Sequence, residues 1–257
     1  MPGSDLALLR DAAAAAGRIA TRHFRQGPQI WDKGGGHGPV TEADLEIDRM
    51  LRADLLAARP GYGWLSEETD DDTRRLGARR LFIVDPIDGT RAFIDGRRAF
   101  AHALAVVEDG RVTAGVVCLP LMDKLYEAEL GRGARLNGRP IRASDRAELD
   151  GADILAGRPQ LAPELWPGGV PKVTRHHRPS LAYRLCLVAE GRFDGMVTLR
   201  PSWEWDIAAG ALILSEAGAR VTDRFGAPLR FNEPDPRHPG LVAGAPAVHA
   251  GLLARLR

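Results

Sequence analysis

Asp85 and Asp88 end the apolar run Leu81-Phe82-Ile83-Val84, with Pro86 between them and Gly89-Thr90 directly after. The run reads as a buried strand, and an unpaired charge at the end of a buried strand is costly. Two carboxylates there call for a cation. Hard divalent ions such as Mg²⁺ are held through carboxylate and carbonyl oxygens, often shared with substrate phosphates. The Gly89 and Thr90 amides open the next turn and can point at an anion. Metal plus phosphate is the chemistry these residues offer, although Asp, Pro and Gly are equally ordinary turn formers. Two further acidic segments change that balance: Trp64-Leu65-Ser66-Glu67-Glu68-Thr69 upstream, and Trp203-Glu204-Trp205-Asp206 downstream.

The elements that must position these acids change period along the chain. Residues 5–24 predict an amphipathic helix through Leu6, Leu9, Ala13, Ala16 and Ala20. Thr41 to Ala58 predicts a second, with Thr41 and Asp44 as a capping pair and an apolar face of Ile47, Met50, Leu51 and Leu55. The glycine-rich segment 34–38 before it reads as a loop. Lys33 at its base is either a solvated charge or one that swings toward a phosphate. Residues 103–107, 112–117 and 124–128 read as an antiparallel meander joined by turns. After Asn137-Gly138 the expected order is strand 153–156, helix 180–190, strand 195–199, helix 206–217, strands 220–222 and 241–243, and helix 246–255, with Gly218 as a helix stop. The fold class is therefore α/β, a layered sandwich. It divides into residues 1–145, with most of the acids, and 146–257, which supplies Asp206.

Composition narrows the class of function. At 257 residues the chain can bury a large core. Thirty-five Lys and Arg against 34 acids leave no global field for a nucleic-acid polymer or a membrane surface. No apolar run approaches the ~20 residues of a transmembrane helix, and Met1 to Asp5 lacks a signal-peptide pattern. Cys118 and Cys186 sit in apolar runs and read as buried thiols. A cytoplasmic location is expected. His176-His177 reads as a solvated loop, since Mg²⁺ prefers oxygen ligands.

The three acidic segments, in order, resemble the signature set of the inositol monophosphatase superfamily, Mg²⁺-dependent phosphomonoesterases. Val40-Thr41-Glu42-Ala43-Asp44 and Gly131-Arg132-Gly133-Ala134 with Leu136-Asn137-Gly138 are similar to two more of its elements. The match runs over roughly residues 5 to 245 and implies an αβαβα architecture. It also implies two Mg²⁺ ions, or three: one on Glu67, Asp85 and the Ile87 carbonyl, the other on Asp85, Asp88 and Asp206. Glu67 and Glu68 read as strand residues on opposite faces, so that one alone reaches the site; the family pattern selects Glu67. The resemblance makes Thr90 and Asp44 the water-activating pair, with Glu67 assisting. It sets Asp88, Gly89, Thr90 and Asp206 against the substrate. A cap is the plainer reading of both Asp44 and Asp206.

The resemblance further implies hydrolysis by activated water with no phosphoenzyme. Haloacid-dehalogenase phosphatases also end a strand in acids, but theirs are two apart and the first is a covalent nucleophile. Here Asp85 and Asp88 are three apart. The expected substrate is a small phosphorylated metabolite. Within the family, Glu204-Trp205-Asp206 resembles the 3'(2'),5'-bisphosphate nucleotidase branch, which cleaves adenosine 3',5'-bisphosphate to AMP. Leu199, seven residues before Asp206, stands where inositol phosphatases place an acid; it predicts an apolar wall suited to a purine. Inositol 1-phosphate, fructose 1,6-bisphosphate and histidinol phosphate are the alternatives. A regulatory, RNA- or protein-associated member is the non-enzymatic one. The family also suggests a homodimer.

Overall fold

Ser4 begins the first layer: its hydroxyl accepts from the Ala7 amide at 3.2 Å and caps helix α1 (Asp5–His23). This computed structural model describes residues 4–34 and 38–257. The glycine-rich loop expected over 34–38 thus lies partly outside the described residues. Strands β1 (Ile30–Asp32) and β2 (Pro39–Thr41) flank it as a short antiparallel pair, which no sequence pattern announced. Thr41 then caps α2 (Glu42–Ala58) in a full capping box with Asp44, as the sequence predicts. The small and aliphatic faces of α1 and α2 (Leu9, Ala13, Ala16, Ile47, Leu51, Leu55) pack together against Phe82 and Val84.

Those last two residues belong to a seven-stranded sheet. Its strands are β3 (Gly63–Ser66), β4 (Arg80–Asp88), β5 (Ala101–Glu108), β6 (Arg111–Leu119), β7 (Lys124–Glu129), β8 (Ala134–Leu136) and β9 (Arg139–Pro140). They lie in chain order; β3 and β4 run parallel and every other pair antiparallel. The meander is the central part. Between β4 and β5 the short helix α3 (Thr90–Ile94) turns the chain. Side chains of β4 alternate strictly up to Asp85: Phe82 and Val84 face α1 and α2, while Leu81 and Ile83 face the opposite layer.

A second sheet follows, from β10 (Asp153–Leu155) and β11 (Thr174–His176), then β12 (Gly195–Thr198), β14 (Arg220–Thr222) and β16 (Leu241–Gly244), in the order β11-β10-β12-β16-β14. Helix α4 (Leu181–Ala189) precedes β12. The two-residue strand β13 (Ser202–Trp203) precedes helix α5 (Glu204–Glu216) and pairs with β15 (Arg237–His238). Helices α4 and α5 fill the space between the two sheets. Alpha5 is apolar on nearly every side, with residues 207–214 all buried, as a helix sandwiched between layers must be. It lies tight on β6, since a Cβ at Gly115 would come 3.1 Å from the Ala209 backbone. Helix α6 (Pro246–Leu256) covers the outer face of the second sheet through Val248 and Leu252. The result is the five-layer αβαβα order that the resemblance implies. Cys118 and Cys186 are free thiols; Cys186 is buried as expected, whereas Cys118 is half-buried.

Candidate active site

Residues three apart on a regular strand point to opposite faces, which would separate Asp85 from Asp88. The register shows why they do not part. Asp85 pairs with Ala103 and Asp88 with Ala101, so three steps on β4 match two on β5. This β-bulge holds Pro86 and Ile87, where a missing N–H costs no ladder bond. Ile87 is turned into the α1–α2 side, and Asp88 comes round to join Asp85 on the α4–α5 side.

Asp88 meets α4 there. Its Oδ2 accepts from Ser180 Oγ at 2.7 Å and from the Ala182 amide at 2.6 Å. Ser180 caps α4 from a left-handed backbone, φ 64°. Asp206 arrives on α5, the third residue of a helix that starts at Glu204, two residues earlier than the sequence predicts. The Trp203 amide donates to its carboxylate, so a capping role is real. Gly210 lets α5 approach α4, because a Cβ there would lie 2.7 Å from Leu185 Cδ1.

Asp85, Asp88 and Asp206 each present an oxygen within 4.8 Å of the other two. Asp85 is 1 % exposed, and among the described residues neither of its oxygens has a hydrogen-bond partner. Burial first, then the charges of Glu67, Asp88 and Asp206, push its carboxyl far above the usual carboxylate range. Asp206 is raised by burial and by the charges of Asp88 and Glu67. Asp88 is raised by burial against the hydrogen bonds from Ser180 and Ala182. Two buried carboxylates and a half-buried third that disfavour one another's charge, one of them without a hydrogen-bond partner among the described residues, fit a divalent cation's donor set.

Asp44 divides its two oxygens between roles. Oδ2 accepts from the Thr41 amide at 2.9 Å as the return arm of the capping box. Oδ1 lies 3.3 Å from Thr90 Oγ1, whose single proton is shared between it and the Ile87 carbonyl at 3.0 Å. Burial, the largest influence, pushes Asp44 up to about 6, against the hydrogen bonds from Thr41.

Glu67 and Glu68 depart from expectation. Strand β3 stops at Ser66, so the alternation that would separate them never applies. Ser66 Oγ bonds Asp48, and Thr69 Oγ1 bonds the other oxygen of Asp48 at 2.6 Å, which bends the chain around both glutamates. They converge instead on Lys33, whose Nζ lies 2.8 Å from Glu67 and 2.7 Å from Glu68. Lys33 is thus paired rather than solvated. Glu68 is pushed up to about 8 by burial and then by the Glu67 charge.

Leu199 also departs. It packs with Trp166, Val197 and Val242 in the core under α6 and forms no wall of the acidic site. His176 is no solvated loop residue either: it ends β11 and bonds Asp153 at 2.7 Å. Sequence reading missed Ser180, although a serine before an apolar run is a helix-start signal.

Comparison with known proteins agrees with this geometry. The model of the inositol monophosphatase family matches residues 4–257. An inositol-1-monophosphatase of Mesorhizobium japonicum is 35% identical, over 98% of this chain and 96% of its own. A fructose-1,6-bisphosphatase/inositol-1-monophosphatase of Thermotoga maritima is 36% identical, over 82% of this chain and 81% of its own. The solved structure of a Thermotoga maritima IMPase superposes with TM-score 0.82 at 29% identity, covering 98% of this chain and 95% of that one. The chain belongs to the inositol monophosphatase family and is a metal-dependent phosphatase. Among the described residues no helix is long and apolar enough to cross a membrane.

Proposed function

We propose that the chain hydrolyses a small phosphomonoester with water as the attacking group, in a centre that holds two Mg²⁺ ions through Glu67, Asp85, the Ile87 carbonyl, Asp88 and Asp206. The observation that carries this reading is the buried carboxylate of Asp85, without a hydrogen-bond partner among the described residues, beside two more acids. When bound, the ions would lower the pKa of water and offset charge on the leaving oxygen.

The chain's own part is positioning and proton transfer. Thr90 Oγ1 takes a proton from the attacking water as its own passes to Asp44 Oδ1, 3.3 Å away. Asp44 is anchored for this by Thr41 through its other oxygen, so the accepting one cannot rotate away. Its elevated pKa, about 6, makes it a better base than a surface aspartate. The Gly89 and Thr90 amides would hold phosphate oxygens, and Glu67, paired with Lys33 here, would serve as a metal ligand. Residues 1–145 and 146–257 act as two subdomains that share the site, in a cytoplasmic homodimer.

The relatives' names support inositol 1-phosphate as substrate. Leu199, buried elsewhere, gives the nucleotidase reading no support. Adenosine 3',5'-bisphosphate stays in view through Glu204-Trp205-Asp206, which resembles the nucleotidase branch. The test is phosphate release with Mg²⁺ from inositol 1-phosphate, adenosine 3',5'-bisphosphate, fructose 1,6-bisphosphate and histidinol phosphate. Activity must vanish on chelation. Trapping a radiolabelled phosphate on Asp85 would overturn the water mechanism.

A further inference from the structure

Helix α5 starts without an ordinary cap. The residue before it is Trp203, and an indole carries a donor but no acceptor, so it cannot take a bond from the first helix amides as Ser, Thr, Asp or Asn would. Half of a capping box is present all the same. The Trp203 amide donates to the carboxylate of Asp206, the third helical residue. That bond aims a side chain of the acidic cluster, and it lasts only while the backbone of Trp203 keeps its place.

A stack keeps it there. The Trp203 ring lies on Trp205 with centroids 4.6 Å apart and planes 8° from parallel. The Arg237 guanidinium lies over the Trp203 ring, 5.1 Å from its centroid. Trp205 covers one face of the ring, so the cation takes the other, where the negative π-cloud attracts it. Arg237 is itself aimed: its Nε and Nη2 donate to the two oxygens of Asp235 at 2.7 and 2.9 Å, which sets the plane of the fork. The main chain reinforces the rings. Trp203 pairs with Arg237 across β13 and β15, and the Glu204 amide, the first of α5, donates to the Pro236 carbonyl at 2.9 Å.

We infer that Arg237 and Trp203 are positioning residues for Asp206: the column Asp235–Arg237–Trp203–Trp205 fixes the amide that orients this carboxylate toward its cation. This rests on the metal reading above and extends it to side chains outside the acidic cluster. Neither residue has to touch metal or substrate. The outer end of the column is a half-exposed ion pair, so its removal leaves no buried hole.

Two measurements on Arg237→Ala test it. In chelator, hydrogen exchange of the Trp203 amide, followed by NMR, should quicken about two- to fivefold, the size of an exposed cation–π contact, while the amides of α6 keep their rates. Calorimetric titration with Mg²⁺ should show Kd raised by a similar factor. Trp203→Leu, which removes both stacking faces, should raise Kd about tenfold. Arg237→Lys, a cation without a planar fork, should recover only part. Unchanged exchange at Trp203, or an unchanged Kd, overturns the assignment. So does faster exchange throughout the chain, which would make the column a general support. If Trp203→Leu does not fold, Arg237→Ala decides alone. If the parent binds no Mg²⁺, the metal reading fails, and exchange at Trp203 still separates the outcomes: local quickening in Arg237→Ala upholds the column's hold on the Asp206 bond, and an unchanged rate rejects it.

Discussion

Ser180 Oγ donates to Asp88 Oδ2 at 2.7 Å across 92 residues of sequence, and this bond ties the first sheet to the start of α4. The hydroxyl also receives the Tyr183 amide, so one side chain caps a helix and orients a metal ligand. Ser180→Ala should lose about 1 kcal/mol for the cap. It should also weaken Mg²⁺ binding, because Asp88 can then turn. Urea unfolding and metal titration on the same variant measure the two effects separately.

Asp85→Asn removes the central charge of the cluster. Without metal the variant should melt at or above the parent's temperature, since a buried carboxylate without a partner has become neutral. Added Mg²⁺, which at a hundred times its Kd stabilises a binding protein by about 2.7 kcal/mol, should raise the parent's Tm and leave the variant's unchanged. Activity should fall by orders of magnitude. A metal-dependent Tm in the variant would remove Asp85 from the centre.

Thr90→Val keeps the shape of the side chain and deletes the hydroxyl between Asp44 and the Ile87 carbonyl. General-base assistance contributes about 10²–10⁴-fold, so kcat should drop within that range while Mg²⁺ affinity changes little. Thr90→Ser should recover most of the rate. A variant that loses metal and rate together would make Thr90 a structural support for Ile87.

Arg75 holds the base of α5 from a distance. Its side chain is 1% exposed and forks onto Asp71, while Asn232 Oδ1 accepts from it at 2.8 Å. The Asn232 and Glu233 amides in turn donate to Glu204 at 2.7 and 3.0 Å, two residues before Asp206. Asp71 is exposed, but removing the buried guanidinium strands the acceptors on Asn232 and Glu233, at a cost of about 1–3 kcal/mol. Arg75→Ala should lose that much in chemical unfolding and raise the Mg²⁺ needed for half-maximal activity. Arg75→Lys, with no fork, should restore only part.

His102 gives a pH dependence of definite sign. Fully buried between β4 and β6, it donates from Nδ1 to the Pro86 carbonyl at 2.5 Å. Burial, opposed by that bond, lowers its pKa from 6.5 to about 4. Below pH 6.5 the unfolded chain takes up a proton that the folded chain refuses until about pH 4, so stability falls as pH drops through this window. The loss reaches about 3 kcal/mol at its lower end. His102→Asn, which keeps a donor, should flatten the urea midpoint between pH 6.5 and 4 relative to the parent.

Local pattern made much of this readable. Thr41 with Asp44 announces the α2 capping box, and the turns at Asp109-Gly110 and Asp123 announce the meander. Three acids spread over 122 residues announce a shared cation only because their flanking residues resemble known segments. What stayed hidden has physical causes. Parity along β4 breaks at Pro86-Ile87, and a bulge leaves no periodic trace. Glu67 and Glu68 read as alternating because nothing local shows that Asp48 will bend the chain behind them. Counting seven residues back from Asp206 reaches Leu199, but the chain leaves β12 and enters β13 in between, so distance along the sequence says nothing of direction. Beta13 and β15, two residues each, are too short for any period.

The position of α4 and α5 between the sheets bears on how the molecule is made. Leu81, Ile83, Val107 and Tyr126 face those helices, and no earlier segment covers them. On the ribosome the first sheet therefore emerges with one greasy side bare, and stays so until residue 216 has been translated. Asp206 travels on the very helix that closes the gap. Burial of that face and completion of the acidic cluster become a single late event in synthesis, and a half-made chain offers neither a finished core nor a place for metal.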